Sequence, residues 1–126
     1  MKIPSDLLYS KDHEWVELDG EVATIGITDF AQRELGDIVY VEIETVGDLL
    51  VREQVFGTVE AVKTVSDLFM PLSGEVIEFN TVLEETPEVV NEEPYKSGWL
   101  IKIKIDNPSQ LKHLLSADQY KELIQA

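Results

Sequence analysis

Apolar and polar residues alternate over most of the chain up to about residue 105, and this period of two is typical of short β-strands. Residues 99–105 alternate cleanly and predict a half-buried strand. Asp19 and Gly20 form a dipeptide that favours a hairpin between residues 13–18 and 21–27. Further strands are predicted at residues 38–44, 54–62, 65–70 and 75–79. The pattern therefore indicates a mostly β protein.

Two segments between these strands depart from the alternation. Residues 28–35 predict a short helix, because Thr28 is a good N-cap and Gly36 is a good terminator. Residues 84–94 contain five glutamates and two prolines, and they predict a solvated loop. The spacing of the acids in this loop does not match an EF-hand, so no calcium site is predicted.

The C-terminal segment changes from strand-like to helical patterning. Asn107 before Pro108 favours a helix over residues 109–115. Ser116 and Gln119 have the spacing of a capping box, which predicts a second helix. Its apolar stripe is expected to pack on the sheet. This stripe comprises Tyr120, Leu123 and Ile124.

Together these elements predict a small β-sandwich or flattened barrel with helices appended at the C-terminus. The chain of 126 residues is long enough for one domain with a real core. We expect residues 1–126 to form that single domain, with a core at about 20–105 and a helical extension at about 107–125.

Charge and composition exclude several classes of function. With 25 acidic and 10 basic residues the net charge is −15, which disfavours binding to nucleic acids and to anionic membrane surfaces. The charge serves either solubility or docking to basic partners. The chain has no cysteine, no apolar run near the roughly 20 residues that span a bilayer, and no recognisable signal peptide. We therefore expect a cytoplasmic protein without disulfides.

The sequence offers no catalytic centre and no metal site. His13 and His113 are the only histidines, and neither has the spacing of a metal ligand or a triad. Glycines do not cluster into a phosphate-binding loop. On the residues alone, catalytic and metal-ligating roles therefore stay unassigned.

Lys63 stands out because it lies where the chain should reverse between two predicted strands. Lysine amines are protonated at neutral pH because their ordinary pKa is about 10.4, and the acidic neighbours Glu60 and Asp67 favour the charged form. Lys63 is therefore not predicted to be a self-activated nucleophile. It is either a lysine that another enzyme acylates or an ordinary surface lysine.

Ordered blocks of residues along nearly the whole chain match one family at the same spacing. They are Tyr9, residues 13–16, 23–32, 35–39, 56–63 and 66–67, Pro71, residues 73–76, Asn80, Asn91, and residues 94–95 and 98–99. In these blocks the chain resembles the glycine cleavage system H-protein family, whose members are non-catalytic lipoyl carriers. The resemblance implies a barrel-sandwich hybrid of two antiparallel sheets, with lipoate joined to Lys63 by an amide.

The resemblance also implies partners and a cycle. A pyridoxal-phosphate-dependent glycine decarboxylase loads an aminomethyl group on the lipoyl arm, and a tetrahydrofolate-dependent aminomethyltransferase removes it. Dihydrolipoamide dehydrogenase then reoxidises the arm. Lipoate ligase, or octanoyltransferase with lipoyl synthase, is expected to install it. Glu14 and Asp67 match positions expected to contact the amine in a cleft, where a carboxylate suits an ammonium group; otherwise both are solvated acids.

Three other functions compete with this interpretation. A biotin carrier shares the hairpin, but biotinyl lysines usually lie between methionines, whereas Val62 and Thr64 flank Lys63. A lipoyl-relay donor for 2-oxoacid dehydrogenase subunits can coexist with glycine cleavage in one protein. An unmodified interaction domain is the third, and the intact surroundings of Lys63 disfavour it.

Overall fold

A computed structural model describes residues 1–125 of the chain. In this range the strands are β1 (Leu8–Tyr9), β2 (Glu14–Asp19), β3 (Val22–Ile27), β4 (Ile38–Glu42), β5 (Leu49–Leu50), β6 (Val55–Ala61), β7 (Val65–Phe69), β8 (Gly74–Phe79) and β9 (Ile101–Ile105). The α-helices are α1 (Asp29–Leu35), α2 (Val82–Glu85), α3 (Val89–Glu92) and α4 (Ala117–Ile124), with a 3₁₀ helix at Pro108–His113. None of the described helices is long and apolar enough to cross a membrane.

The strands form two antiparallel sheets, which confirms the predicted fold class. The larger sheet has the order β1-β2-β3-β9-β8-β5, and the smaller one has the order β4-β6-β7. Side chains of both sheets meet in one core, for example Ile25 and Ile103 from the larger sheet and Phe56 and Val59 from the smaller. Strand alternation directs these side chains into the core. In β9, Ile101 and Ile103 are buried, while the lysines between and after them are not.

The outer face of the larger sheet carries a second apolar cluster beneath the C-terminal helix. Trp15 of β2 lies in this cluster with Tyr9 and with Tyr120 of α4. The Tyr9 and Tyr120 rings stack with centroids 4.8 Å apart. The predicted capping box of Ser116 and Gln119 is present. Packing of the helix on the sheet is thus confirmed for Tyr120 and Ile124, whereas Leu123 is 49% exposed.

The prediction of a solvated loop at residues 84–94 is wrong. This segment contains the end of α2 and all of α3. These helices bury Leu83 and Val90 completely in the core. The five glutamates dominate the composition there. Leu83, just before the segment, and Val90 within it pack into the core and anchor the two helices. The helix predicted at 109–115 is also tighter than an α-helix, since it forms a 3₁₀ turn over Pro108–His113.

Candidate functional site

Lys63 lies at the tip of the β6–β7 hairpin, as the sequence predicts. Glu60 and Val65 are the last paired residues of the two strands. The Ala61 N–H donates to the Thr64 carbonyl over 2.7 Å, so that Val62 and Lys63 occupy the centre of the turn. Both are exposed, and neither has a positive φ. The amine is therefore displayed to solvent on an ordinary backbone.

The backbone at residues 36–38 supports this hairpin tip. The Val62 N–H donates to the Asp37 carbonyl over 3.0 Å. Gly36 has φ +81°, and a Cβ placed on it would lie 3.4 Å from Lys63 Cε. The lysine stem therefore runs closely over a glycine that ends α1 in a conformation disfavoured for other residues.

Asn91 of α3 fixes the same segment from the other side. Its Nδ2 donates to the Gly36 carbonyl and its Oδ1 accepts from the Ile38 N–H, each over 2.9 Å. The Nδ2 also donates to Gln32 Oε1 over 2.9 Å. In the sequence Asn91 was only one matching position of the family pattern, with no role attached. The sequence feature that sets Asn91 apart is an amide side chain within a run of acids, next to the apolar Val90.

A cleft of about 400 Å³ lies between α1, the start of β2 and the hairpin that carries Lys63. Its lining comprises Asp12, His13, Glu14, Ile27, Phe30, Ala31, Glu34, Leu35, Val59, Ser66, Asp67 and Leu68. Buried apolar side chains line one part of it, whereas Asp12, Glu34 and Asp67 are exposed at its edge. The structure thus brings Glu14 and Asp67, which are far apart in sequence, into one cleft.

Glu14 is the buried acid of this cleft. Only 1% of it is exposed. Its Oε2 accepts from the Phe69 N–H over 2.9 Å, and its Oε1 accepts from Ser10 Oγ over 3.1 Å. Burial raises the pKa of Glu14 to about 8, against the opposing effect of these hydrogen bonds. The alternative that Glu14 is a solvated acid is therefore wrong, whereas Asp67 is exposed.

His13, which the sequence left without a role, forms part of the cleft wall. It has φ +67°, and its ring lies 4.9 Å from the ring of Phe30 on α1. Desolvation by burial lowers the pKa of its imidazole. The other histidine, His113, is exposed in the 3₁₀ helix and does not line the cleft. No sequence spacing indicates this role, because φ and ring contacts depend on the fold.

A larger cavity of about 650 Å³ lies on the other side of α1 and is lined by residues of the N-terminus and of the segment after α3. None of its lining residues belongs to β6 or β7. Asp29 and Arg33 of α1 line this cavity, whereas Phe30 and Glu34 line the cleft. The smaller cleft is therefore the one that the hairpin of Lys63 can use.

An exposed lysine held at a hairpin tip beside a cleft is the arrangement of a carrier domain on which other enzymes act. Comparison with known proteins specifies the kind of carrier. The family model described as "Glycine cleavage H-protein" matches residues 7–126. The chain therefore belongs to the glycine cleavage H-protein family, the lipoyl-bearing carrier component of that system and not one of its catalytic enzymes.

Individual relatives match over almost their whole length. Glycine cleavage system H proteins of Chlorobium limicola and Staphylococcus carnosus are 59% and 55% identical, each with 98% of both chains covered. That of Bacteroides fragilis is 53% identical with 100% of both chains covered. A crystal structure of a glycine cleavage system H protein from Mycobacterium marinum is similar with a TM-score of 0.87 and 34% identity, covering 98% of this chain and 100% of that one.

Proposed function

We propose that this chain carries lipoate in amide linkage to Lys63 and moves the aminomethyl group of glycine between enzymes in the cytoplasm. A pyridoxal-phosphate-dependent glycine decarboxylase is the donor, and a tetrahydrofolate-dependent aminomethyltransferase is the acceptor. Dihydrolipoamide dehydrogenase restores the disulfide of the arm. One observation carries the proposal: the exposed amine of Lys63 lies on the hairpin that lines the cleft of Glu14 and Asp67.

The residues around Lys63 fit a long acyl arm. The lysine stem already lies along Gly36, and the preceding residue, Leu35, lines the cleft. Acylation removes the ammonium charge and leaves a neutral chain that can lie on such a surface. Within the cleft, the buried side chain of Ile27 suits hydrocarbon and sulfur, and the carboxyl of Glu14 suits an amine.

When bound, lipoate supplies a disulfide that can be reduced and can hold the one-carbon unit. The side chains of this chain then act by binding and shielding. Glu14 and Asp67 bind the ammonium of the cargo, while Phe30 and Leu68 exclude water. Because burial raises the pKa of Glu14 to about 8, its carboxyl is mostly protonated at neutral pH. A bound ammonium stabilises the carboxylate, so cargo entry releases a proton to solvent.

Installation of the arm requires other enzymes to reach Lys63. Lipoate ligase, or octanoyltransferase with lipoyl synthase, fills this role. Val62 and Val65, which lie on either side of Lys63 in the chain, are 76% and 62% exposed. These apolar side chains offer a modifying enzyme a contact beside the lysine.

Mass spectrometry of the protein from a lipoate-producing host tests the attachment. We expect a lipoyl increment on the peptide that contains Lys63 and on no other lysine. Lys63→Arg should remove the increment, while Lys112→Arg, an exposed lysine of the 3₁₀ helix, should keep it. A biotinyl increment, or no increment after exposure to a lipoate ligase, contradicts the proposal.

Activity in the reconstituted system tests the function. Lys63→Arg should abolish glycine–bicarbonate exchange with the partner decarboxylase. It should change the free energy of unfolding by less than about 0.5 kcal/mol, because the side chain is exposed. Lipoate-dependent exchange that survives in Lys63→Arg, but not in a lipoate-free control, counts against Lys63 as the carrier.

A further inference from the structure

A chain of buried hydrogen bonds joins the C-terminal helix to the cleft. The Tyr120 hydroxyl of α4 lies 2.7 Å from Thr28 Oγ1 and 2.9 Å from His13 Nδ1. Thr28 and Tyr120 are both fully buried, and His13 lines the cleft. Thr28 is also the N-cap of α1, whose Phe30 and further residues form another wall of the cleft. Tyr120 therefore contacts both walls without lining the cleft itself.

The direction of these hydrogen bonds follows from Thr28. Its Oγ1 already accepts from the Ala31 N–H, over 3.2 Å. Its other partner within residues 1–125 is the Tyr120 hydroxyl, so its own proton can be donated only there. A buried hydroxyl that fails to donate is costly. Thr28 thus donates to Tyr120, and the Tyr120 proton is left for His13 Nδ1.

We propose that Tyr120 is a positioning residue for the cleft, which acts by holding His13 neutral with its proton on Nε2. Nδ1 accepts from Tyr120 and cannot carry a proton, so a neutral imidazole must carry it on the other nitrogen. A neutral ring adds no positive charge beside the carboxyl of Glu14. In this way the cleft stays suited to an ammonium group, which is the cargo under the function proposed above.

Nearby carboxylates act against a neutral ring at this position. Asp12 and Glu34 favour the imidazolium electrostatically, and Glu14 and Asp67 line the same cleft. Burial acts against them and lowers the pKa of the imidazole. The Tyr120 donor acts in the same direction as burial, because protonation of Nδ1 would reverse the chain and leave Thr28 without an acceptor.

Nuclear magnetic resonance of the unmodified protein tests the direction. In the wild type, ¹⁵N shifts of His13 should show an unprotonated Nδ1 and a protonated Nε2 at neutral pH. Tyr120→Phe keeps the ring that stacks on Tyr9 but removes the hydroxyl. We expect the fixed tautomer to be lost and the imidazole to protonate at higher pH. Identical ¹⁵N shifts and titration in the wild type and Tyr120→Phe overturn the proposal.

Control variants separate this role from general stability. Tyr95→Phe also removes a tyrosine hydroxyl with two hydrogen bonds, to the Asp29 N–H and the Lys2 carbonyl, but neither partner lines the cleft. It should leave the His13 tautomer unchanged. Thr28→Ser keeps the donating hydroxyl and should behave as the wild type. If Tyr120→Phe does not fold, the ¹⁵N shifts of the wild type decide, because a protonated Nδ1 of His13 at neutral pH overturns the proposal.

The lipoylated protein tests the consequence for the cleft. Tyr120→Phe should accept lipoate at the wild-type rate, because Lys63 lies on another element. Once loaded with the aminomethyl group, it should release formaldehyde and ammonia about two- to tenfold faster without the aminomethyltransferase, as expected when the hydrogen bond to His13, one of the two that Tyr120 makes, no longer holds the cleft wall. Unchanged release despite a changed tautomer overturns the positioning role. A wild type that takes no lipoyl group refutes the proposed function instead, and the unmodified protein still decides the tautomer.

Discussion

Glu14 should make the stability of the unmodified protein depend on pH in the direction opposite to most carboxylates. Burial raises its pKa from the ordinary 4.5 to about 8. Between these values the folded protein keeps a proton that the unfolded chain has released. The stabilisation is therefore complete below about pH 4.5 and is lost as pH rises through about 8. Since one pKa unit corresponds to about 1.4 kcal/mol, the loss is on the order of 5 kcal/mol.

Glu14→Gln removes this titration and keeps a side chain of similar shape. Urea unfolding of the wild type and the variant between pH 5 and 8 should show a difference in unfolding free energy that moves in favour of the variant as pH rises. His13 has a lowered pKa, so its contribution is lost below its unfolded value of about 6.5. That contribution has the opposite sign and is common to both proteins, so it cancels in the difference.

Glu17→Gln on the exposed part of β2 is the matched control, and it should follow the wild type at every pH. The result that would refute the reasoning is a Glu14→Gln variant whose unfolding free energy runs parallel to that of the wild type from pH 5 to 8. In that case Glu14 would be ionised in the folded protein, with its two hydrogen bonds outweighing its burial.

Three further substitutions test the support of the hairpin tip and the C-terminal helix. Gly36→Ala should cost roughly 1–2 kcal/mol because φ +81° is strained for alanine, and a backbone shift that relieves this strain should slow lipoylation, since the Lys63 stem lies on Gly36. Gly20→Ala, at φ +63° with open space, should cost stability alone, and equal lipoylation rates in the two variants would contradict this account. Asn91→Ala should lower the free energy of unfolding by about 2–3 kcal/mol through three lost hydrogen bonds, and a cost below about 0.5 kcal/mol in urea would be too small for them. Ser116→Ala should cost about 1 kcal/mol by thermal unfolding through the lost cap, without changing lipoylation of the lysine.

Features with a local cause could be predicted from the sequence. Strand β9 follows from its alternation, and the caps at Thr28 and Ser116 follow from side chains that bond nearby backbone. The turn at Lys63 follows from the two strand patterns that flank it. The resemblance to a family placed Glu14 and Asp67 in one cleft, and the structure brings both to it.

Features set by tertiary packing could not be predicted. Helices α2 and α3 have only four residues each, and their burial depends on Leu83 and Val90 meeting a core formed elsewhere. Strands β1 and β5 have two residues each, too few for a periodic pattern. The burial of Glu14 departs from strand alternation, because Glu14 and the two residues after it are all buried. The contacts of Tyr120 with Thr28 and His13 join residues too far apart in sequence for any spacing rule.

The backbone of the hairpin tip has a practical consequence. Because Val62 and Lys63 have no positive φ, the turn needs neither glycine nor asparagine, and folding sets no demand on the side chain at position 63. The chain also contains no cysteine. A Lys63→Cys variant would therefore hold a single thiol at the natural point of attachment, where synthetic arms of chosen length and chemistry can be coupled. Carrier arms of different length can therefore be compared on one unchanged scaffold.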